Sequence, residues 1–280
     1  MASTTNDSEN ANIDWAEKLQ FFARHLVCLG GVYRLIDEHG HQVGPSQTFV
    51  HSGWILSIHG RWCLVTAGHV LKQLKERIQD RAIQITEWFL IDSFGPQAKH
   101  PEPIPLTYDT LAKLQVEDEQ AGLDFALMAL TPYYELALQK NGIVPVDERN
   151  WLNQHEVKFE HYLLLGIPMR ESATSKVNRD EHQLSLDMDL RPYALRIDAL
   201  ENPPNDLPKT TYQRFIGKVD DQCTEEIMDG MSGGPIFGFA KDRYWIVAVQ
   251  SSWRPWSKIV FGCPVPVFAG LIEKILSENE

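Results

Sequence analysis

The chain is poor in the features that mark several large protein classes. Four cysteines, Cys28, Cys63, Cys223 and Cys263, stand far apart with no C-x-x-C pair. A zinc or dithiol-redox motif is therefore not supported, and reduced thiols in a cytoplasmic setting are the expectation. No apolar run approaches the roughly 18 residues of a membrane span. The opening "MASTTNDSENAN" has neither the basic stretch nor the apolar core of a secretory leader, so no membrane partner is expected. Positive charge is also scarce: 26 Lys and Arg face 38 Asp and Glu, a net charge of −12 and a pI near 5.3. Phosphate backbones need a basic face, which counts against a direct nucleic-acid partner. There is no G-x-x-x-x-G-K phosphate loop, internal repeat or low-complexity tract.

What remains is an ordinary globular composition, 43% hydrophobic and 23% charged, over 280 residues. That length supports one large domain or two closely packed halves with a real core. Residues 1–11 read as a disordered tail. "NIDWAEKLQFFARHL" places Trp15, Leu19, Phe22 and Leu26 near helical spacing. The texture then turns strand-like. "QTFVHSGWILSIHGRWCLVTAGHV" reads as two β-branched and aromatic runs joined by a hairpin turn at His59-Gly60, and "RAIQITEWFLI" and "LDFALMALT" continue the pattern. Punctuation by Pro132, Asn141-Gly142 and Pro145 marks a connecting segment. A second block of strands follows: "HYLLLGIP", "HQLSLDMDL", "YALRIDAL", "RFIGKV", "GPIFGFA" and "YWIVAVQSSW". The end, "VFAGLIEKILSENE", has the period of an amphipathic helix. The expected organisation is a mostly-β half over 12–135, a connection over 136–155, a second β half over 156–265 and a closing helix over 266–280.

Three short stretches carry chemistry. In "DGMSGGP", glycines around Ser232 would let backbone N–H groups turn inward beside an exposed hydroxyl, although serine and glycine are also ordinary turn residues. In "LVTAGHVL", His69 follows a strand at the small corner Ala67-Gly68. In "GLDFALMAL", Asp124 opens an apolar strand. Acyl transfer by a serine needs a base to take the hydroxyl proton and an acid to hold that base in the right tautomer. His69, Asp124 and Ser232 supply those roles in that order. Singly, each has a dull structural explanation; together, in these settings, they point to a nucleophilic site. "GMSGG" also matches the G-x-S-x-G elbow of α/β-hydrolases, but that fold needs a histidine after the serine, and the last histidine here is His182. A subtilisin-like order would need an aspartate before the histidine in a βαβ setting, which Asp14 and Asp37 lack.

With those motifs, "TAGHV", "DFALM" and "GMSGGP", the chain resembles the chymotrypsin/trypsin-like serine peptidases over roughly residues 25–270. The resemblance implies an all-β fold of two six-stranded barrels with a C-terminal helix and the site at their junction. It implies a serine endopeptidase that needs no cofactor and acts on a protein or peptide substrate. Ser232 would be the nucleophile, His69 the base and then the acid, and Asp124 the group that orients His69. The N–H groups of Gly230 and Ser232 match the oxyanion hole, and Ser251 in "IVAVQSSW" matches the serine of the strand that pairs with substrate, with Ser252 adjacent.

The departures are informative. Met231 stands immediately before the serine where secreted trypsins carry the aspartate that pairs with a newly cut N-terminus, and Val70 replaces their cysteine. The pattern resembles intracellular and bacterial branches, so activation by cutting is not expected, and control by an activating protein partner or a loop rearrangement stays open. Six residues before Ser232, Glu226 occupies the position of the acid that selects a basic P1 residue, unless Glu225 and Glu226 form only a solvated acidic loop. His39-x-His41 with His51 and His59 suggests a metal site, but no carboxylate or cysteine spacing completes it, and loop histidines are the better reading. Trp253-Arg254-Pro255-Trp256 reads equally as a binding patch or as a rim of the cleft. The alternative to a peptidase is a catalytically silent binding or regulatory module of the same fold within a larger complex.

Overall fold

A computed structural model describes residues 15–277 apart from 169–172, 181–182, 202–203 and 205; the expected tail over 1–11 lies outside the described residues. Short helix α1 (Trp15–Ala23) leads into strands β1 (Cys28–Ile36), β2 (Gln42–His51), β3 (Trp54–Ile58) and β4 (Arg61–Thr66). The β3–β4 hairpin turns on His59 (φ 49°) and Gly60 (φ 76°), the left-handed pair that matches the twist of a two-residue hairpin. Helix α2 (Gly68–Gln79) follows, then β5 (Ile83–Ile91), β6 (Ile104–Pro105), β7 (Lys113–Asp118) and β8 (Leu123–Ala129).

The connection holds helix α3 (Pro132–Lys140). Pro132, which reads as punctuation in the sequence, sits in its first turn, where a missing N–H costs nothing and a fixed φ suits the helix. The second half runs through β9 (His161–Gly166), the hairpin β10 (Ala173–Asp180) and β11 (Gln183–Asp189), β12 (Tyr193–Ala199), β13 (Phe215–Val219), the one-turn α4 (Glu225–Met228), β14 (Pro235–Ala240), β15 (Arg243–Arg254) and β16 (Ile259–Pro264). Helix α5 (Val265–Ser277) ends the described chain.

The second half closes as a six-stranded barrel, β12-β13-β16-β15-β14-β9, antiparallel throughout. The first half differs from the expected second barrel. It forms two four-stranded sheets, β2-β1-β5-β6 and β3-β4-β8-β7. Two features limit closure. The edge strand β6 is two residues long and ends in Pro105, which cannot donate to a further strand. Near the start of β1, the pairing with β3 is reduced to a single bridge, Leu26 to Trp54.

The core is shared between the halves. One apolar cluster joins Trp54, Phe125 and Val146 to Leu163, Phe237 and Phe268. The terminal helices cross over. Phe22 of α1 lies 4.5 Å from Phe237 and 5.3 Å from Phe239, ring centre to ring centre, on the barrel. Phe268 of α5 stacks at 4.9 Å on Phe125 of β8. The seam between the halves is therefore apolar on its inside, and the polar groups described next lie along it. Among the described residues, no helix is long and apolar enough to cross a membrane.

Candidate active site

Asp124 is the second residue of β8, paired with Glu117 of β7. Its carboxylate grips His69 twice: one oxygen accepts the backbone N–H of His69 and the other accepts from the ring Nδ1, both at 2.8 Å. The first grip satisfies an amide that the first turn of α2 leaves orphaned, and puts a negative charge at a helix N-terminus where it is stabilising. The second fixes chemistry. An ionised carboxylate only accepts, so Nδ1 carries the proton and the Nε2 lone pair is left free as a base. The two side chains are about a quarter and a fifth exposed.

Gly68 makes the grip sterically feasible. A Cβ there would come within 2.2 Å of the Val116 carbonyl oxygen and 2.9 Å of the Asp124 carboxylate, so α2 packs on β7 and β8 closely enough only with glycine.

Ser232 comes from the other half, on the turn between α4 and β14. Its neighbours hold the turn: Met231 N–H donates to Met228, Gly234 N–H to Met231, and Gly233 N–H to Gln250 on β15. Met231 is fully buried in the barrel's apolar cluster with Met228 and Ile236, so a thioether anchors this turn. Gly233 (φ 89°) is the point of contact between the halves. A Cβ there would meet Thr66 Oγ1 at 2.1 Å and the Ala67 nitrogen at 3.0 Å, placing the serine turn against the strand end that leads to His69.

The sequence-derived residues are thus brought together unequally. His69 and Asp124 are bonded. Ser232 is half-buried at the adjoining turn, and its hydroxyl makes no hydrogen bond with His69 or any other described residue. Nor do the N–H groups of Gly230 and Ser232 meet an acceptor among the described residues. Ser251 is buried and donates to the Phe261 carbonyl at 3.2 Å rather than to Asp124.

Two open cavities flank the seam. One, of about 400 Å³, is lined by His69, Asp124, Glu119, Arg214, Ser251 and Ser252. The other, of about 570 Å³, is lined by Ser232, Gly230, Asp229, Glu225, Glu226 and Trp253. Glu226 is exposed at the rim of this second cavity. Trp253 lines it, whereas Trp256 projects into solvent, 79% exposed, so the aromatic patch divides between rim and surface.

Competing nucleophiles are disfavoured. All four cysteines are unpaired. Burial pushes the Cys63 thiol up to about 11 and that of Cys263 up to about 12, so neither carries a thiolate at neutral pH. His39 and His41 lie on the exposed β1–β2 turn beside Glu38 and Asp37, while His51 is buried at the far end of β2. Among the described residues, no group of three His, Cys, Asp or Glu could hold a metal ion. Sequence reasoning missed Arg214 in the first cavity, which becomes visible only once the loop before β13 folds over the β7–β8 turn through the Thr211–Gln120 and Tyr212–Ala121 backbone bonds.

No protein-family model matches the chain, and no curated protein sequence matches it. Among solved structures it is similar to a thermostable serine protease, AL20, from an extremophilic microorganism, at 14% identity and a TM-score of 0.43, covering 86% of this chain and 91% of that one. It is similar to the same degree to the protease Anisep from Arthrobacter nicotinovorans, at 15% identity and a TM-score of 0.43, covering 86% and 90%. Likeness at that level decides nothing about activity, which rests on this chain's own residues.

Proposed function

We propose that the chain is a serine endopeptidase of the double-barrel type, with a His69–Asp124–Ser232 triad, working in the cytoplasm and subject to activation by a protein partner. The observation that carries this reading is the double grip of Asp124 on His69, which leaves Nε2 available as a base on the other half of the seam from Ser232. In the reaction, Ser232 Oγ attacks the peptide carbonyl carbon and its proton passes to Nε2. The N–H groups of Gly230 and Ser232 receive the oxyanion. The C–N bond then breaks, the amine leaves with the proton from His69, and water repeats the sequence on the acyl-enzyme. The hydroxyl closes onto Nε2 when substrate fills the seam, as catalytic hydrogen bonds commonly tighten only in the complex.

The substrate backbone has an edge to pair with. β14 pairs β15 only as far as Val249, so residues 251–254 run on past it beside the Ser232 turn, suited to adding an extended peptide as a further strand. Three carboxylates, from Glu225, Glu226 and Asp229, and an indole line the cavity at Ser232, and among the described residues no cationic side chain lines it. A lysine or arginine is the residue such a cavity favours at P1.

The resting separation of Ser232 from His69 favours a second reading, a binding module that does not cleave. A fluorophosphonate probe separates the two. Labelling of the wild type, absent in Ser232→Ala and His69→Ala, supports the peptidase, with turnover of a cleaved peptide falling about 10⁶-fold on removal of the serine. A wild type inert to the probe, both alone and with lysate from its source, supports the module. In a peptide-library profile, cleavage should follow Arg and Lys, and Glu226→Gln should weaken that preference several-fold, as befits an exposed charge.

A further inference from the structure

Ser52 has no exposed surface, yet it is a hub for four segments of the chain. It lies in the corner between β2 and β3. Its hydroxyl donates to the carbonyl of Gly230 at 2.7 Å and accepts the N–H of Ile167, just past the end of β9, at 2.8 Å. Its own carbonyl accepts from Thr66 Oγ1 at 2.8 Å, three residues before His69. Gly233 packs on that same carbonyl, where a Cβ would approach to 2.4 Å.

The polarity of the hub is fixed. A hydroxyl has one proton, and the Ile167 N–H can only donate, so the proton must go to the Gly230 oxygen. That matters because Gly230 (φ 89°) is in a conformation that glycine adopts and leaves readily. Its own N–H has no acceptor among the described residues, and the peptide unit it forms with Met231 is held from within the turn only by the Met231 N–H to Met228 bond, with Ser52 gripping the carbonyl on the other side. The peptide unit is planar, so a clamp on the carbonyl sets the course of the chain from Gly230 into Met231 and Ser232.

We propose that Ser52 is a positioning residue: its buried hydroxyl clamps the Gly230 carbonyl and so aims the N–H groups of Gly230 and Ser232 at the place where an oxyanion develops. The role in catalysis rests on the peptidase reading above; the clamp itself does not. Through it, the first half of the chain sets the geometry of a hole built entirely from the second, and the same residue steadies the end of β4, which leads into the helix bearing His69. Losing the clamp leaves the triad side chains in place and the hole misaimed.

Two measurements on Ser52→Ala and Ser52→Thr test this, with Ser52→Cys, similar in shape but a weaker hydrogen-bonding partner, replacing the alanine variant if that one does not fold. Amide exchange by NMR reads the clamp without activity. In Ser52→Ala the bonded amides of Met231, Gly233 and Gly234 should exchange about tenfold faster or more, as a buried hydrogen bond is lost at their anchor. Ser52→Thr should restore protection. Faster exchange at Ile167 alone, with the turn unchanged, overturns the proposal. Fluorophosphonate inactivation reads the consequence: the maximal rate should fall about 10–100-fold in Ser52→Ala with probe affinity unchanged, and recover in Ser52→Thr. An unchanged rate overturns the proposed role. If the wild type is inert to the probe while exchange at the turn accelerates, the peptidase reading falls and the clamp stands.

Discussion

Gly68 stands where two chemistries compete for the same volume. A methyl group there would collide with the Val116 carbonyl and crowd the Asp124 carboxylate, and neither is the loose end of a flexible side chain. Gly68→Ala is expected to push β7 and Asp124 away from α2, costing about 1–3 kcal/mol of stability as an overpacked site does. It should also cost about 10–100-fold in acylation, because the imidazole loses its fixed orientation. The imidazole Nδ1–H resonance reports on this directly: it should shift or broaden in the variant, and an unchanged signal would mean that the grip does not depend on Gly68. Ser52 lies at the opposite extreme of legibility. A serine between two strands has no distinguishing pattern in the sequence, and its partners are 115 and 178 residues away. The pairing of His69 with Asp124 was readable because a nucleophilic site demands particular residue types in recognisable local settings. A buried hydroxyl that serves a distant carbonyl makes no such local demand.

Helix α1 is a short element with a large task. It belongs to the beginning of the chain but docks on the barrel, with Phe22 against Phe237, Phe239 and Tyr244. The chain after it bonds in the first half, through Val27 to Gly53 and Ile55 to His25. Phe22→Ala should therefore loosen both, at about 3–5 kcal/mol in a urea unfolding curve; a loss well under 1 kcal/mol would show that α1 is not docked in solution. Five of the six barrel strands, all but β16, were legible because each is a short run of β-branched and aromatic residues bounded by turn signals; β16, with Gly262 and Pro264 inside its six residues, did not stand out from a connecting loop. Helix α3 was not, because Pro132 and Asn141-Gly142 look the same whether they bound a loop or a helix. The two open sheets of the first half were hidden for a different reason. Which strands pair is a non-local outcome, and a two-residue edge such as β6 leaves almost no signal.

Across the whole molecule, buried titratable groups set the acid limit of stability. Burial lowers His25 and His51 to about 3 each, with the nearby Arg77 and His69 charges adding to the shift at His51. Both histidines bind protons from pH 6.5 downward when unfolded and not until about 3 when folded. The unfolded state therefore holds more protons in that window, and stability is lost as pH falls. Asp92 works the other way: burial raises it to about 6, so it favours the fold as pH drops from 6 towards 3.8. With about 1.4 kcal/mol per unit for each group, the net loss between pH 7 and pH 5 should be about 3 kcal/mol. Denaturant curves at the two pH values check this, and a double replacement of both histidines by glutamine should reverse the sign, leaving the gain of about 1 kcal/mol that Asp92 contributes on acidification. Equal stability at pH 7 and pH 5 in the wild type would contradict the burial of these rings.

The contact at Gly233 has a mechanical consequence. His69 and Ser232 come from separate halves, and the serine turn meets the strand end before His69 at a glycine with no room for a Cβ, so on the peptidase reading proposed above their alignment depends on this contact staying closed. A side chain grafted onto Gly233 would press on Thr66 Oγ1 and the Ser52 carbonyl and should abolish probe labelling, while the apolar cluster shared by the two halves keeps the chain folded.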